Sequence, residues 1–143
     1  MALAQPVDLP AIRALLAASG LPGEDLTPEH LRYFWVRRDA VGITGVVGIE
    51  PHGSAALLRS LAVREDQRGR GQGNRLVAHA ESEAGALGVK TIYLLTTTAE
   101  RFFVARGYLA TPRDSAPPAI RATREFSDLC PSTSACMSKR VGG

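Results

Sequence analysis

Leu61-Ala62-Val63-Arg64-Glu65-Asp66-Gln67-Arg68-Gly69-Arg70-Gly71-Gln72-Gly73 decides the fold. It runs from the end of an apolar, strand-like stretch, Ala55 to Val63, through a glycine-rich turn into a segment of helical spacing. From Gly73 onward Leu76, Val77, Ala80, Ala84 and Leu87 recur on one helical face, and Gly88 is placed to stop the helix. Successive glycines let a backbone come close to a ligand. The free N–H groups of a following helix then point at that ligand with the positive end of the dipole behind them. A pyrophosphate suits this order of strand, loop and helix. A Walker loop is excluded because no Gly-Lys-Ser/Thr follows. A dinucleotide fold is disfavoured because its glycine turn follows the first strand of a parallel unit rather than a hairpin.

A hairpin is what precedes the loop. Ile43 to Glu50 reads as a strand containing Gly45 and Gly48, and Pro51-His52-Gly53-Ser54 as the turn into Ala55 to Val63. Upstream, Asp8 is placed to cap a helix with an apolar stripe of Leu9, Ile12, Leu15 and Leu16, ended by Ser19, Gly20, Pro22 and Gly23. Thr27-Pro28 is a second helix start reaching His30 or beyond, and Tyr33 to Arg37 turns strand-like. Downstream, Thr91 to Thr96 is a strand, Ala99 to Ala105 a short helix, and Tyr108 opens an extended segment. Ile120 to Phe126 has helical spacing and Ser134 to Val141 that of a last strand. This order predicts one α/β (α+β) domain over residues 1–143 with a mixed sheet.

The 143 residues suit one core, and 45% hydrophobic with 22% charged residues is ordinary globular composition. Apolar runs are broken well before the roughly 18 residues a membrane span needs, and no signal-peptide pattern opens the chain; a cytoplasmic protein without a membrane partner is expected. The net charge is +3, with the arginines concentrated at Arg64, Arg68, Arg70 and Arg75. That clustering suits a compact phosphate ligand rather than a nucleic acid. Cys130 and Cys136 lack companions at zinc-site spacing, so no metal is expected.

The loop resembles that of the GNAT acetyltransferases, whose pattern Gln/Arg-x-x-Gly-x-Gly/Ala is read here as Arg68-x-x-Gly71-x-Gly73. The resemblance implies a central sheet of about six to seven strands flanked by about four helices. In that fold the strand before the loop splays from Thr91 to Thr96 to admit a pantetheine arm. Acetyl-CoA is then the co-substrate, held by Leu61, Ala62, Val63, Arg68, Gly69, Arg70, Gly71, Gln72 and Gly73, with the Val63 N–H facing the thioester oxygen. The family's apolar helix ending in Tyr-x-x-x-Gly-Phe/Tyr is matched by Phe103-Val104-Ala105-Arg106-Gly107-Tyr108, in which Phe103 lacks the hydroxyl that protonates the departing thiolate in many members.

A narrower likeness covers Leu94 to Phe103, Pro118 to Phe126 and Leu129 to Ser132, which resemble the acetyltransferases of arsenic-resistance operons, the second subtype of the ArsN group. It implies a small acidic amino acid or an organoarsenical one, such as arsinothricin, as the amine substrate. Glu50 at its strand end is the candidate general base, with Glu100 an alternative that the helix dipole explains equally well. Arg37, Arg59, Thr97, Arg121 and Arg124 are the candidates to hold the acceptor, because guanidinium groups grip carboxylates and arsonates through paired hydrogen bonds. Cys130 and Cys136 stand between arsenic ligation and plain packing. A non-catalytic acyl-CoA sensor and a protein N-acetyltransferase remain alternatives. A homodimer also stays open, since apolar C-terminal strands contribute to dimers in this family.

Overall fold

The computed structural model describes residues 1–142. Seven strands, β1 (Ala2–Leu3), β2 (Phe34–Arg38), β3 (Ile43–His52), β4 (Ala55–Val63), β5 (Thr91–Thr96), β6 (Leu109–Ala110) and β7 (Ala135–Arg140), form a mixed sheet in the order β1-β2-β3-β4-β5-β7-β6. The α-helices are α1 (Leu9–Ala18), α2 (Gln72–Ala86), α3 (Glu100–Val104) and α4 (Pro118–Arg121). The residues group into two compact units: Met1–Glu50 with Arg59–Ala80, and Pro51–Leu58 with the residues from Glu81 onward. The chain passes between the units inside β3, β4 and α2.

In the first unit, α1 opens after Asp8, whose Oδ2 accepts from the Gln5 N–H at 2.8 Å. Its buried face is Ile12, Leu15 and Leu16. It closes where Gly20 (φ +70) lets the Leu21 N–H reach the Leu16 carbonyl at 2.9 Å, the left-handed stop expected of glycine after a helix. Those residues pack with Leu26, Leu31, Phe34, Val36, Val46 and Ala62 into one core. β2 lies antiparallel to β3, Phe34 facing Gly48. A Cβ on Gly48 would fall 2.2 Å from the Phe34 ring, so the missing side chain is where that ring lies. A Cβ on Gly45 would fall 2.9 Å from Leu76 of α2, which is how closely the helix approaches β3.

In the second unit, β4 pairs in parallel with β5 at its first three residues, Ala55↔Thr91, Ala56↔Ile92 and Leu57↔Tyr93. β5 then runs antiparallel to β7 along its length, from Thr91↔Arg140 to Thr96↔Ala135. Ala55, Leu57, Ala116, Ile120, Phe126 and Cys136 form the core of this unit, with Tyr93 and Leu95 against it.

Two expected helices differ. The segment after Pro28 is a single 3-10 turn, His30–Tyr33, because the His30 Nδ1 takes the Thr27 N–H at 3.1 Å and the chain must enter β2 with Phe34 fully buried. Ile120 to Phe126 is not one helix. α4 ends at Arg121, Thr123 Oγ1 donates to the Ile120 carbonyl at 2.7 Å, and Glu125–Leu129 forms a π-helical turn. A hydroxyl bonded back to the chain competes with helix propagation there.

Candidate functional site

Everything from Val63 to Gln72 is built to keep a short loop in one conformation. After β4 comes a 3-10 turn, Glu65–Gln67, and then Gly69 (φ +78) and Gly71 (φ +77), both in the left-handed region. Side chains brace the loop from within. Arg68 Nε donates to the Val63 carbonyl at 2.9 Å, and an Arg75 Nη donates to the Arg70 carbonyl at 3.1 Å. The buried Gln72 amide joins the loop to β3, accepting from Thr44 Oγ1 and donating to Gln67 Oε1, each at 3.3 Å. The Arg64 N–H also donates to the Thr44 carbonyl at 2.7 Å.

Arg64 itself lies between Asp66 and Asp39 at 2.6 and 2.7 Å, and their carboxylates stabilise its charged form. Arg68 and Arg70 are exposed. The α2 N-terminus follows at once, leaving the N–H groups of Gln72, Gly73 and Asn74 without intrahelical acceptors. Nothing in the fold would meet a Cβ on Gly69, so glycine is required there by its φ and not by crowding. Free amides, a helix terminus and exposed guanidiniums around an open turn make a site that fits a pyrophosphate.

The second feature of this unit is a buried ion cluster. Arg59 Nη1 donates to Asp25 Oδ2 at 2.6 Å and to Glu50 Oε2 at 2.8 Å, and Nη2 donates to Asp25 Oδ1 at 2.7 Å. Its Nε donates to Ser60 Oγ at 3.0 Å. Ser60 (φ +61) is the one non-glycine residue in the left-handed region among the described residues. Burial pushes the Asp25 carboxyl up, but the hydrogen bonds and charge of Arg59, with the charge of His30, hold it below its usual value. Asp25, His30 and Glu50 also bring one ligand-type atom each within 4.8 Å of one another. The Arg59 guanidinium already supplies a positive charge to both carboxylates.

The remaining predicted residues fall in several places. Arg59, expected to face an acceptor, has its side chain fully buried and committed to Asp25 and Glu50. Arg37 is half-buried on β2, at the irregularity between Arg37 and Arg38. Thr97 is exposed beyond the end of β5, while its neighbour Thr96 accepts the Ala99 N–H at the start of α3. Arg121 Nε donates to the Ala116 carbonyl, and Arg124 pairs with Asp128. The break in the helix puts Arg121 at the end of α4 and Arg124 at the start of the separate π-helical turn.

Phe103 is buried, edge-on to Phe102 and Tyr108 with centroids 5.1 and 5.4 Å away. The Tyr108 hydroxyl, held well above its usual pKa by burial and by Glu81, donates to Glu81 Oε2 at 3.0 Å. Glu81 in turn accepts from Lys139. Cys130 Sγ donates to Glu125 Oε2, and burial pushes the Cys136 thiol up against the opposing charge of Arg113. No described helix is long and apolar enough to cross a membrane. Sequence reasoning missed Asp25, which lies in a loop with no pattern around it; Ser60 is a candidate hydroxyl in the sequence, but nothing there announces its left-handed backbone.

Comparison with known proteins finds acetyltransferases. The family model described as an acetyltransferase (GNAT) domain matches residues 30–109, more than half of the chain. A curated amino-acid acetyltransferase from Ralstonia nicotianae is 40% identical over 57 residues, 40% of this chain and 13% of the relative. The chain thus spans under a sixth of that relative's length. Among solved structures, N-acetylglutamate synthase from Neisseria gonorrhoeae, complexed with coenzyme A and N-acetyl-glutamate, superposes with a TM-score of 0.83 at 22% identity, over 97% of this chain and 34% of that one. Rv2747 from Mycobacterium tuberculosis, in complex with CoA, gives a TM-score of 0.78 at 20% identity and covers 96% of both chains.

Proposed function

Because the chain belongs to the acetyltransferase (GNAT) domain family, we propose that it moves the acetyl group of acetyl-CoA to the amino group of a small acidic amino acid. The observation that carries this reading is the braced turn Arg68 to Gly73 opening onto the α2 N-terminus. Its left-handed glycines and free amides suit the pyrophosphate of a coenzyme A thioester. The amino-acid acceptor is supported by the likeness to the Ralstonia relative and to the glutamate-handling neighbour. The narrower likeness of Leu94 to Ser132 to the arsenic-resistance acetyltransferases makes an organoarsenical analogue of glutamate the companion candidate.

In this reading acetyl-CoA supplies the activated acetyl group as a thioester. The loop anchors the pyrophosphate, and the main chain of Leu61, Ala62 and Val63 lies along the pantetheine. The Val63 N–H donates to the carbonyl oxygen as negative charge develops on it, a contribution of about 10²–10³ where one such donor has been removed elsewhere. Glu50 takes the proton of the acceptor ammonium, directly or through water, and the neutral amine attacks the thioester carbonyl. The C–S bond breaks, coenzyme A leaves as the thiolate, and the proton shed by the new amide nitrogen reaches that sulfur through solvent. Arg37 faces the acidic group of the acceptor. Arg121 and Arg124 hold partners of their own, the Ala116 carbonyl and Asp128, and with Thr97 take no part in this reading.

The test is thiol release from acetyl-CoA across a panel of glutamate, arsinothricin, neutral amino acids and a peptide with a free N-terminus. Saturable release with the acidic members alone is the expected result. Release with the peptide alone would replace this reading by protein acetylation. Tight acetyl-CoA binding without turnover of any amine would replace it by a sensor, the reading that Phe103 favours.

A further inference from the structure

Arg59 does more than neutralise a neighbour. A guanidinium is a rigid planar fork, so each partner it holds is fixed in direction as well as distance. Here one fork holds Asp25 from the loop after α1, Glu50 from the end of β3, and the hydroxyl of Ser60 beside it on β4. The side chains of Arg59 and Asp25 are 0% and 3% exposed, that of Glu50 17%. Glu50 is therefore the carboxylate of the pair that an incoming amine meets. Burying such a cluster is a weak source of stability, since well-packed apolar residues commonly serve as well.

We propose that Arg59, clamped by Asp25, is a positioning residue that keeps Glu50 aimed for proton transfer. Through Ser60 it ties that aim to the main chain of Leu61 to Val63. The inference rests on the reading of Glu50 as the base. Charge sharing makes it specific: Asp25 competes with Glu50 for one cation. Removing the Asp25 charge strengthens the pull of Arg59 on the Glu50 carboxylate; removing the Arg59 charge takes that pull away. His30 is the third titratable group at the cluster, and its protonation acts in the same sense as Arg59.

The experiment follows the Glu50 carboxyl by 13C NMR titration and, in parallel, the acid limb of kcat/KM against pH. The full chain is used in wild-type form and as Asp25→Asn, Arg59→Met and Glu50→Gln, each also with His30→Gln to remove the histidine titration. Shifts of opposite sign, each of about one pH unit, are expected for Asp25→Asn (down) and Arg59→Met (up). Unmoved or same-direction shifts would overturn the proposal. Full turnover in Glu50→Gln would instead overturn the base reading, while the NMR shifts would still report on the clamp. Should either charge-removing variant fail to fold, Arg59→Lys decides. It keeps the charge but loses the fork, so kcat should fall about tenfold with the KM for acetyl-CoA unchanged, and wild-type kcat would refute the role.

Discussion

Restoring a tyrosine at position 103 tests whether that position sees the reacting sulfur. Phe103 is 5% exposed and lies edge-on to two other aromatic rings. A hydroxyl added at the ring tip would enter packed surroundings. A buried hydroxyl without a partner costs about 1–3 kcal/mol. For a chain of this size that lowers the melting temperature by about 3–12 °C, taking roughly 3–4 °C per kcal/mol. Phe103→Tyr should therefore melt within that lower range, bind acetyl-CoA as the wild type does, and show no gain in kcat. Differential scanning fluorimetry, calorimetric titration and thiol release read the three quantities. A variant as stable as wild type with kcat raised tenfold or more would refute the reasoning, because it would place the new hydroxyl at the departing thiolate rather than in the core.

Three other outcomes follow from the same geometry. Gly71→Glu should weaken acetyl-CoA binding at least tenfold by calorimetry, because an anion replaces an open left-handed glycine at the cradle; Gly20→Ala, with a similar φ at the end of α1, should keep binding while losing about 1 kcal/mol of stability. Gly48→Ala puts a methyl 2.2 Å from the fully buried Phe34 ring and should cost about 1–3 kcal/mol in urea unfolding; an unchanged midpoint would mean that the ring has room to move. Because the Asp25 carboxyl titrates below 3.8 in the fold, its contribution is complete above that pH and is lost as pH falls through the folded value. Wild-type urea midpoints should thus drop below pH 3.8 more steeply than those of Asp25→Asn, and parallel curves would contradict the assignment.

The legible parts of this protein are those whose causes are local. α1 and its end, β3 through β4, α2 with Gly88 as its stop, and β5 all follow from periodicity and glycine placement over a few residues. At the end of α2, Gly88 (φ +88) lets the Val89 N–H reach the Ala84 carbonyl at 3.0 Å. β1 is two residues long, too short for any period to show. The helix expected over Ile120 to Phe126 has the right apolar spacing, but Thr123 spends its hydroxyl on the chain and the spacing is satisfied by two short turns instead. The glycine loop was readable because strand, turn and helix terminus are consecutive. Its bracing was not, since the Thr44–Gln72 contact joins residues 28 apart.

The arginines show the same limit from the opposite side. In a sequence, Arg59 in the middle of a strand reads as a cation awaiting an anionic ligand, because its counter-ions sit 34 and 9 residues away. Once those partners are in place, the sense of the site reverses. Asp25 and Glu50 already surround the Arg59 guanidinium, so that cation is not the one offered to an anionic ligand. In the proposed reading the cluster meets the amino end of the acceptor through Glu50, and the acidic end is met by another cation. Within the same unit Arg37, half-buried on β2, is the predicted residue suited to that task. On that proposal an acceptor with an ammonium at one end and a carboxylate at the other should bind more tightly than a simple amine.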